Sequence, residues 1–176
     1  NDDGSRTFMT RISGPLFDFL EHHKVANQII IPGAAFLETA TSAARSIAKR
    51  SDSKFPRFVI LRDCMFEAPF VVEQPSSGNS NSSDTTRLLT CHVSDDGKYE
   101  IRSSLADMVE DDDEEFVVSR GKIERRTSMG LPVSKIDIDS LRSRLSTNLQ
   151  TEAIYQDFAE VGLQYGQRFQ TLREIF

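Results

Sequence analysis

The groups of this chain best suited to chemistry are a histidine and a Pro-Gly pair that follows it. His23 precedes Pro32 and Gly33, and the short apolar run 29–31 lies between them. Proline keeps the residue before it extended and lacks a backbone donor, so a strand must stop there. Helical spacing of apolar residues follows, and the first amides of a helix have no partners within it. An imidazole and such amides can together move a proton and bind a developing oxyanion.

A strand before the break and a helix after it must position these groups. We expect the helix to span 34–49, because apolar residues recur at helical spacing from Phe36 and basic residues suit its C-terminal end. Its many alanines allow a sheet to pack closely against it. A lone histidine is more often an ordinary surface residue on a loop, and the Pro-Gly corner is what favours a functional role for His23.

The rest of the chain indicates antiparallel strands. Strands are predicted at 7–12, 55–70, 88–93, 99–105 and 116–124. Asp95-Asp96-Gly97 has the composition of a hairpin turn. The polar segment 75–86 and the acidic run 110–115 are predicted to be solvated loops, since the acidic run lacks the spacing of a calcium loop. One helix lying on such strands is an α+β layout, that of a hotdog fold, in which a curved sheet wraps a central helix.

Composition limits the partners and the compartment. The 176 residues are 38% hydrophobic, which is enough for one domain, or one domain and part of another. A net charge of -6 offers no basic surface for nucleic acid. No apolar segment approaches the ~20 residues needed to cross a membrane. Cys64 and Cys91 have neither metal nor disulfide spacing, and there is no signal-peptide pattern, so we expect no metal and a cytoplasmic location.

Two motifs resemble those of polyketide synthase dehydratase domains. His23, Asn27 and Pro32 follow the family's His-x-x-x-Gly-x-x-x-x-Pro spacing, with Asn27 in place of glycine. Segment 162–170 resembles the Gly-Leu-x-Tyr-Gly-Pro-x-Phe-Gln segment that opens the family's second hotdog, with Gln167 in place of proline. The resemblance implies an N-terminal hotdog at 1–125, an interhotdog linker at 126–150 and the truncated start of a C-terminal hotdog at 151–176.

The resemblance also implies an activity. Such domains are carbon-oxygen lyases that remove water from a β-hydroxyacyl thioester, held on the phosphopantetheine arm of an acyl carrier protein, to give an α,β-unsaturated thioester. His23 would be the general base, and the amide of Gly33 would meet the thioester oxygen. The implied substrate-binding residues are Val25, Ile31, Pro32, Phe36 and Tyr165. Ordinary core packing remains the alternative for Val25, Ile31 and Phe36, and seating of the second hotdog, together with Phe169, remains the alternative for Tyr165. No cofactor is implied beyond the arm that carries the substrate.

The family's catalytic acid is missing from this chain. It is an aspartate on the helix of the second hotdog, expected beyond Phe176. The sequence is therefore expected to be either a fragment of a larger multienzyme or a naturally split gene product, and to be incomplete and inactive alone. Its expected partners are the remaining C-terminal hotdog, acyl carrier protein and other synthase domains. A homodimer is expected by analogy only.

Two other functions stay open. The chain can be a non-catalytic hotdog that serves as a scaffold or acyl-binding module, in which Asn27 marks the loss of activity. It can also be a product-template cyclase domain, which guides aldol closure instead of dehydration. His22 competes with His23 as the base, but alternation along an extended segment places the two on opposite sides, so His22 is predicted to be exposed or to pack.

Overall fold

The computed structural model describes six stretches of the chain. These stretches are residues 4–50, 58–72, 87–105, 115–127, 135–145 and 147–175. The elements are β1 (Arg6–Arg11), α1 (Pro15–Leu20), β2 (His23–Val25), β3 (Gln28–Ile30), α2 (Gly33–Arg50), β4 (Phe58–Phe66), β5 (Val71–Val72), β6 (Arg87–Val93), β7 (Lys98–Leu105), β8 (Phe116–Arg126), α3 (Ile138–Arg144), α4 (Thr151–Glu160) and β9 (Leu163–Tyr165). The predicted loop 75–86 and residues 110–114 of the acidic run lie outside the described residues.

The long helix α2 packs on an antiparallel five-stranded sheet. The strand order is β1-β6-β7-β8-β4, and β4, β6, β7 and β8 contact the helix. Ala40, Ala43 and Ala44 are at most 3% exposed, so their small side chains let the sheet approach closely. The layout is the predicted α+β hotdog. The predicted helix is also confirmed, and it extends one residue further at each end.

Most of the predicted strands are confirmed, but the strand predicted over 55–70 is shorter. Gly97 has φ of 82° in the turn between β6 and β7, as the hairpin prediction requires. The strand predicted over 55–70 ends earlier, at Phe66, and β5 belongs to another sheet. A bulge between Arg62 and Met65, with Asp63 at φ of 50°, bends β4 before its end.

A second, four-stranded sheet has the order β5-β3-β2-β9. His23 begins strand β2 and does not lie on a loop, because a tight turn at Ala26 and Asn27 returns the chain into β3. Strand β9, from the far end of the chain, pairs antiparallel with β2. The proposed division at 1–125, 126–150 and 151–176 stays a prediction. No helix in the described stretches has the length and hydropathy needed to cross a membrane.

Candidate active site

The imidazole of His23 is held by the strand that leads to the Pro-Gly corner. Its Nδ1 atom lies 2.6 Å from the carbonyl oxygen of Ile30, and the bond is partly buried. A carbonyl oxygen only accepts hydrogen bonds, so Nδ1 must carry the proton. In the neutral ring Nε2 then has no proton and a free lone pair. This tautomer is the one in which Nε2 can act as a base.

The Pro-Gly corner provides backbone donors close to the same strand end. Helix α2 begins at Gly33, and the N–H of Ala35 donates to the carbonyl oxygen of Pro32 at 2.8 Å. Among the described residues, the N–H groups of Gly33 and Ala34 have no acceptor. Because Ile30 ends β3 just before Pro32, one strand end positions both the histidine and these amides. The arrangement can bind an anionic oxygen.

A cavity of about 270 Å³ adjoins this corner. It is lined by three of the predicted residues, Ile31, Gly33 and Phe36, and by segment 66–69. Ile31 and Phe36 are at most 4% exposed, so they belong to the hydrophobic core as well as to the cavity wall. The structure therefore brings three of the seven residues singled out in the sequence to this cavity, and Pro32 joins two of them along the chain. His23 is not among the lining residues, and it is tied to the same segment through its hydrogen bond to the carbonyl of Ile30.

Phe66 is a cavity residue that sequence reasoning missed. Its Cζ atom lies 3.2 Å from the position that a Cβ on Gly33 would occupy, yet 55% of Phe66 is exposed. The bulge in β4 precedes it directly, and bulges re-aim the side chains that follow them. Asp63 has the positive φ of the bulge. Aspartate is enriched in that conformation, but a single aspartate in an apolar run is a weak sequence signal for a bulge.

Tyr165 and Phe169 from the second motif pack on the His23 ring. The ring centroid of His23 lies 5.2 Å from that of Tyr165, with 24° between the planes, and 5.0 Å from that of Phe169. The ring of Phe169 also reaches that of Phe19, at 4.8 Å. The second motif is thus seated on the histidine through aromatic contacts. A substrate contact for Tyr165 stays a prediction, as it does for Val25, which is half-buried in β2 opposite Leu163.

His22 packs against Gly166, which is one of the two alternatives expected for it. Its carbonyl oxygen accepts a hydrogen bond from the N–H of Gly166 at 2.8 Å, and its ring occupies the space where a side chain on Gly166 would lie. Asn27 adopts φ of 63°, a conformation in which asparagine is enriched among the residues other than glycine. Its side chain accepts a hydrogen bond from Gln164, a partner that the sequence motifs did not indicate.

The carboxylate at the cavity is engaged in an ion pair. Glu67 is bound by Arg120 through two contacts, at 2.7 Å to Nε and 2.8 Å to Nη2. A bidentate pair of this geometry fixes both oxygens. This carboxylate is therefore not a free acid in the structure, and a catalytic acid beyond Phe176 stays a prediction.

Comparison with known families identifies the chain. The model of the polyketide synthase dehydratase domain matches residues 1–103, and that of the polyketide synthase dehydratase N-terminal domain matches residues 135–176. The chain belongs to the polyketide synthase dehydratase family.

Individual members of the family span much more than this chain. Polyketide synthase PksM of Bacillus subtilis is 27% identical over 177 residues, which cover 100% of this chain and 4% of that protein. The dehydratase domain from the CurF module of the curacin polyketide synthase superposes with a TM-score of 0.75 at 20% identity, over 98% of this chain and 56% of that one. A CurK dehydratase variant with histidine replaced by phenylalanine, described as inactive, superposes with a TM-score of 0.72 at 16% identity, over 99% of this chain and 55% of that one. The dehydratase hotdog is thus the fold of this chain, which spans just over half of the solved dehydratase chains.

Proposed function

We propose that this chain supplies the general base and the oxyanion site of a dehydratase that acts on β-hydroxyacyl thioesters carried by acyl carrier protein. The observation that carries the proposal is the hydrogen bond from His23 Nδ1 to the carbonyl of Ile30. It leaves Nε2 as the proton acceptor and ties the ring to the strand that ends at the Pro-Gly corner.

The reaction begins with transfer of the α-proton of the thioester to Nε2 of His23. Negative charge then builds on the thioester oxygen, and the N–H of Gly33 stabilises it, since this amide has no acceptor among the described residues. The electron pair left at the α-carbon forms the double bond as the bond from the β-carbon to oxygen breaks. The hydroxyl leaves as water after it receives a proton from an acid.

We infer that this acid belongs to the remaining C-terminal hotdog. Glu67 is held by Arg120 in an ion pair, and Asp18 and Glu21 are exposed. The cavity beside Gly33 would receive the acyl chain, with Ile31 and Phe36 as its walls. The inactive histidine variant of the CurK dehydratase supports the same dependence on an imidazole in a protein of this fold.

Replacement of His23, with His92 as the control, tests the proposal. In the dehydratase domain that continues through the second hotdog, His23→Ala should lower kcat for a β-hydroxyacyl pantetheine thioester by about 10²- to 10⁴-fold, the usual contribution of a general base. His92→Ala is the matched control, since His92 is an exposed residue of β6 whose ring bonds to Thr7. The assay follows loss of water from the thioester by mass spectrometry, and circular dichroism checks the fold.

The possible outcomes separate the candidate functions. Turnover that persists unchanged in His23→Ala would exclude His23 as the base. A wild-type domain that binds the thioester without releasing water would favour the scaffold or acyl-binding module. Aldol closure of a poly-β-keto thioester, without dehydration, would favour the product-template cyclase.

A further inference from the structure

The turn between β2 and β3 is held by residues from the far end of the chain. Ala26 and Asn27 have φ of 48° and 63°, so both central residues of this two-residue turn are in the left-handed region. The N–H of Ala26 donates to the carbonyl oxygen of Gly162 at 2.8 Å, and the N–H of Asn27 donates to Oε1 of Gln164 at 2.8 Å. Both turn amides are therefore satisfied by the second motif.

The side chain of Asn27 makes the contact reciprocal. Nε2 of Gln164 donates to Oδ1 of Asn27 at 2.8 Å, while Oε1 of the same amide accepts from the backbone of Asn27. A glycine at position 27 would keep the backbone hydrogen bond and lose the side-chain one. The departure from the motif glycine thus adds a bond, and it does so while retaining a residue suited to positive φ. We call this two-way contact the amide clamp.

The amide clamp is directly connected to the packing of the imidazole. In the pairing of β2 with β9, Lys24 lies opposite Gln164 and His23 lies opposite Tyr165. Each of these strands has only three residues, so their pairing depends on the contacts at its two ends. The bond from Gly166 N–H to the His22 carbonyl closes one end, and the amide clamp closes the other.

We propose that Asn27 and Gln164 are positioning residues, which hold β9 in register with β2 so that the Tyr165 ring keeps His23 oriented for proton transfer. The proposal rests on the function proposed above. It also assigns Asn27 a supporting role in catalysis, in contrast to the expectation that this residue marks a loss of activity. Neither residue contacts the reacting atoms in this scheme.

The test compares Asn27→Gly, Gln164→Ala and the double variant in the complete dehydratase domain. Asn27→Gly introduces no backbone strain, because glycine readily adopts φ of 63°. Gln167→Ala is the matched control, since it removes an exposed glutamine of the same segment. Each single variant should lower kcat by about tenfold and leave KM within about twofold, because orientation acts on the chemical step. The double variant should be no worse than Gln164→Ala, because Gln164→Ala already removes both bonds of the clamp, including the one lost in Asn27→Gly.

A spectroscopic measurement distinguishes positioning from simple loss of stability. The imidazole resonances of His23, which are assigned by their absence in His23→Ala, should be shifted by the Tyr165 ring, because the two ring centroids lie 5.2 Å apart. They should move toward unstacked values in Asn27→Gly and Gln164→Ala and stay in place in Gln167→Ala. Unchanged His23 resonances together with unchanged kcat in Asn27→Gly would overturn the amide clamp. A wild-type domain that shows these resonance shifts but performs no dehydration would overturn the proposed function and leave the clamp intact.

Discussion

Gly166 allows β9 to approach the histidine segment, and replacing it should separate the two. A Cβ at this position would lie 2.8 Å from Cγ and 3.0 Å from Cβ of His22, and closer still to Nδ1. Real Cβ atoms essentially never come within the shorter of these distances of another heavy atom, so either the His22 ring or β9 must move. The N–H of Gly166, which donates to the His22 carbonyl at 2.8 Å, would move with it.

The expected cost of Gly166→Ala follows from three contributions. Overpacking costs about 1–3 kcal/mol, and loss of the hydrogen bond adds about 1 kcal/mol. Alanine stabilises by about 0.4–1 kcal/mol through the reduced entropy of the unfolded chain. The free energy of unfolding should therefore fall by about 2 kcal/mol. Urea denaturation followed by circular dichroism measures this change.

A second substitution tests whether the collision is with the ring of His22. His22→Ala removes the two nearest atoms and leaves only the Cβ at 3.0 Å, which a small shift can relieve. Combined with Gly166→Ala, it should recover at least about 1 kcal/mol, seen as a coupling free energy in a double-mutant cycle. The pair His92→Ala and Gly166→Ala is the control and should be additive. Additive effects for His22 and Gly166 would refute the reasoning.

Two further predictions concern the cavity and the buried thiol. Phe66→Ala should open the space beside Gly33 and raise the relative kcat/KM for bulkier acyl thioesters by about tenfold, and an unchanged ratio in a competition assay would contradict this. Burial raises the pKa of Cys91 from 9.0 to about 11. The stability that the neutral thiol contributes is therefore fully present below pH 9 and is lost as the pH rises through 11. The free energy of unfolding should fall by about 2 kcal/mol between pH 8 and 11 from this group, a slope that Cys91→Ala should lack if the assignment is right.

The elements with strong local signals were predicted well from the sequence. The helix after Pro32 is long and periodic, so its bounds came within one residue of α2. The turn at Asp95-Asp96-Gly97 carries its own conformational preference, and Gly97 adopts the positive φ that it predicts. The spacing of His23 and Pro32 also indicated two groups that meet at the end of β3. His23 bonds to the carbonyl of Ile30, the last residue of that strand, and Pro32 follows shortly after it. The chemical roles of these residues stay predictions.

The features that were missed depend on contacts between distant parts of the chain. Strand β2 has three residues, too few for a visible alternation, and its turn begins with Ala26, which has no preference for positive φ. Phe66 reaches the cavity only because a bulge re-aims the end of β4. Gln164 occupies a variable position of the second motif, so the motif itself carries no information about its contact with Asn27.

The position of the histidine is therefore a property of the tertiary structure and not of its own motif. An isolated hairpin as short as β2 and β3 is at best marginal in water. Here it is sandwiched between β5 and β9, and the two amides of its turn bond to residues 162 and 164. A chain that retained His23 and Pro32 but ended before Gly162 would keep the residue types of a base and lose the strand and the aromatic rings that orient it. The second motif thus helps to hold the strand that carries His23.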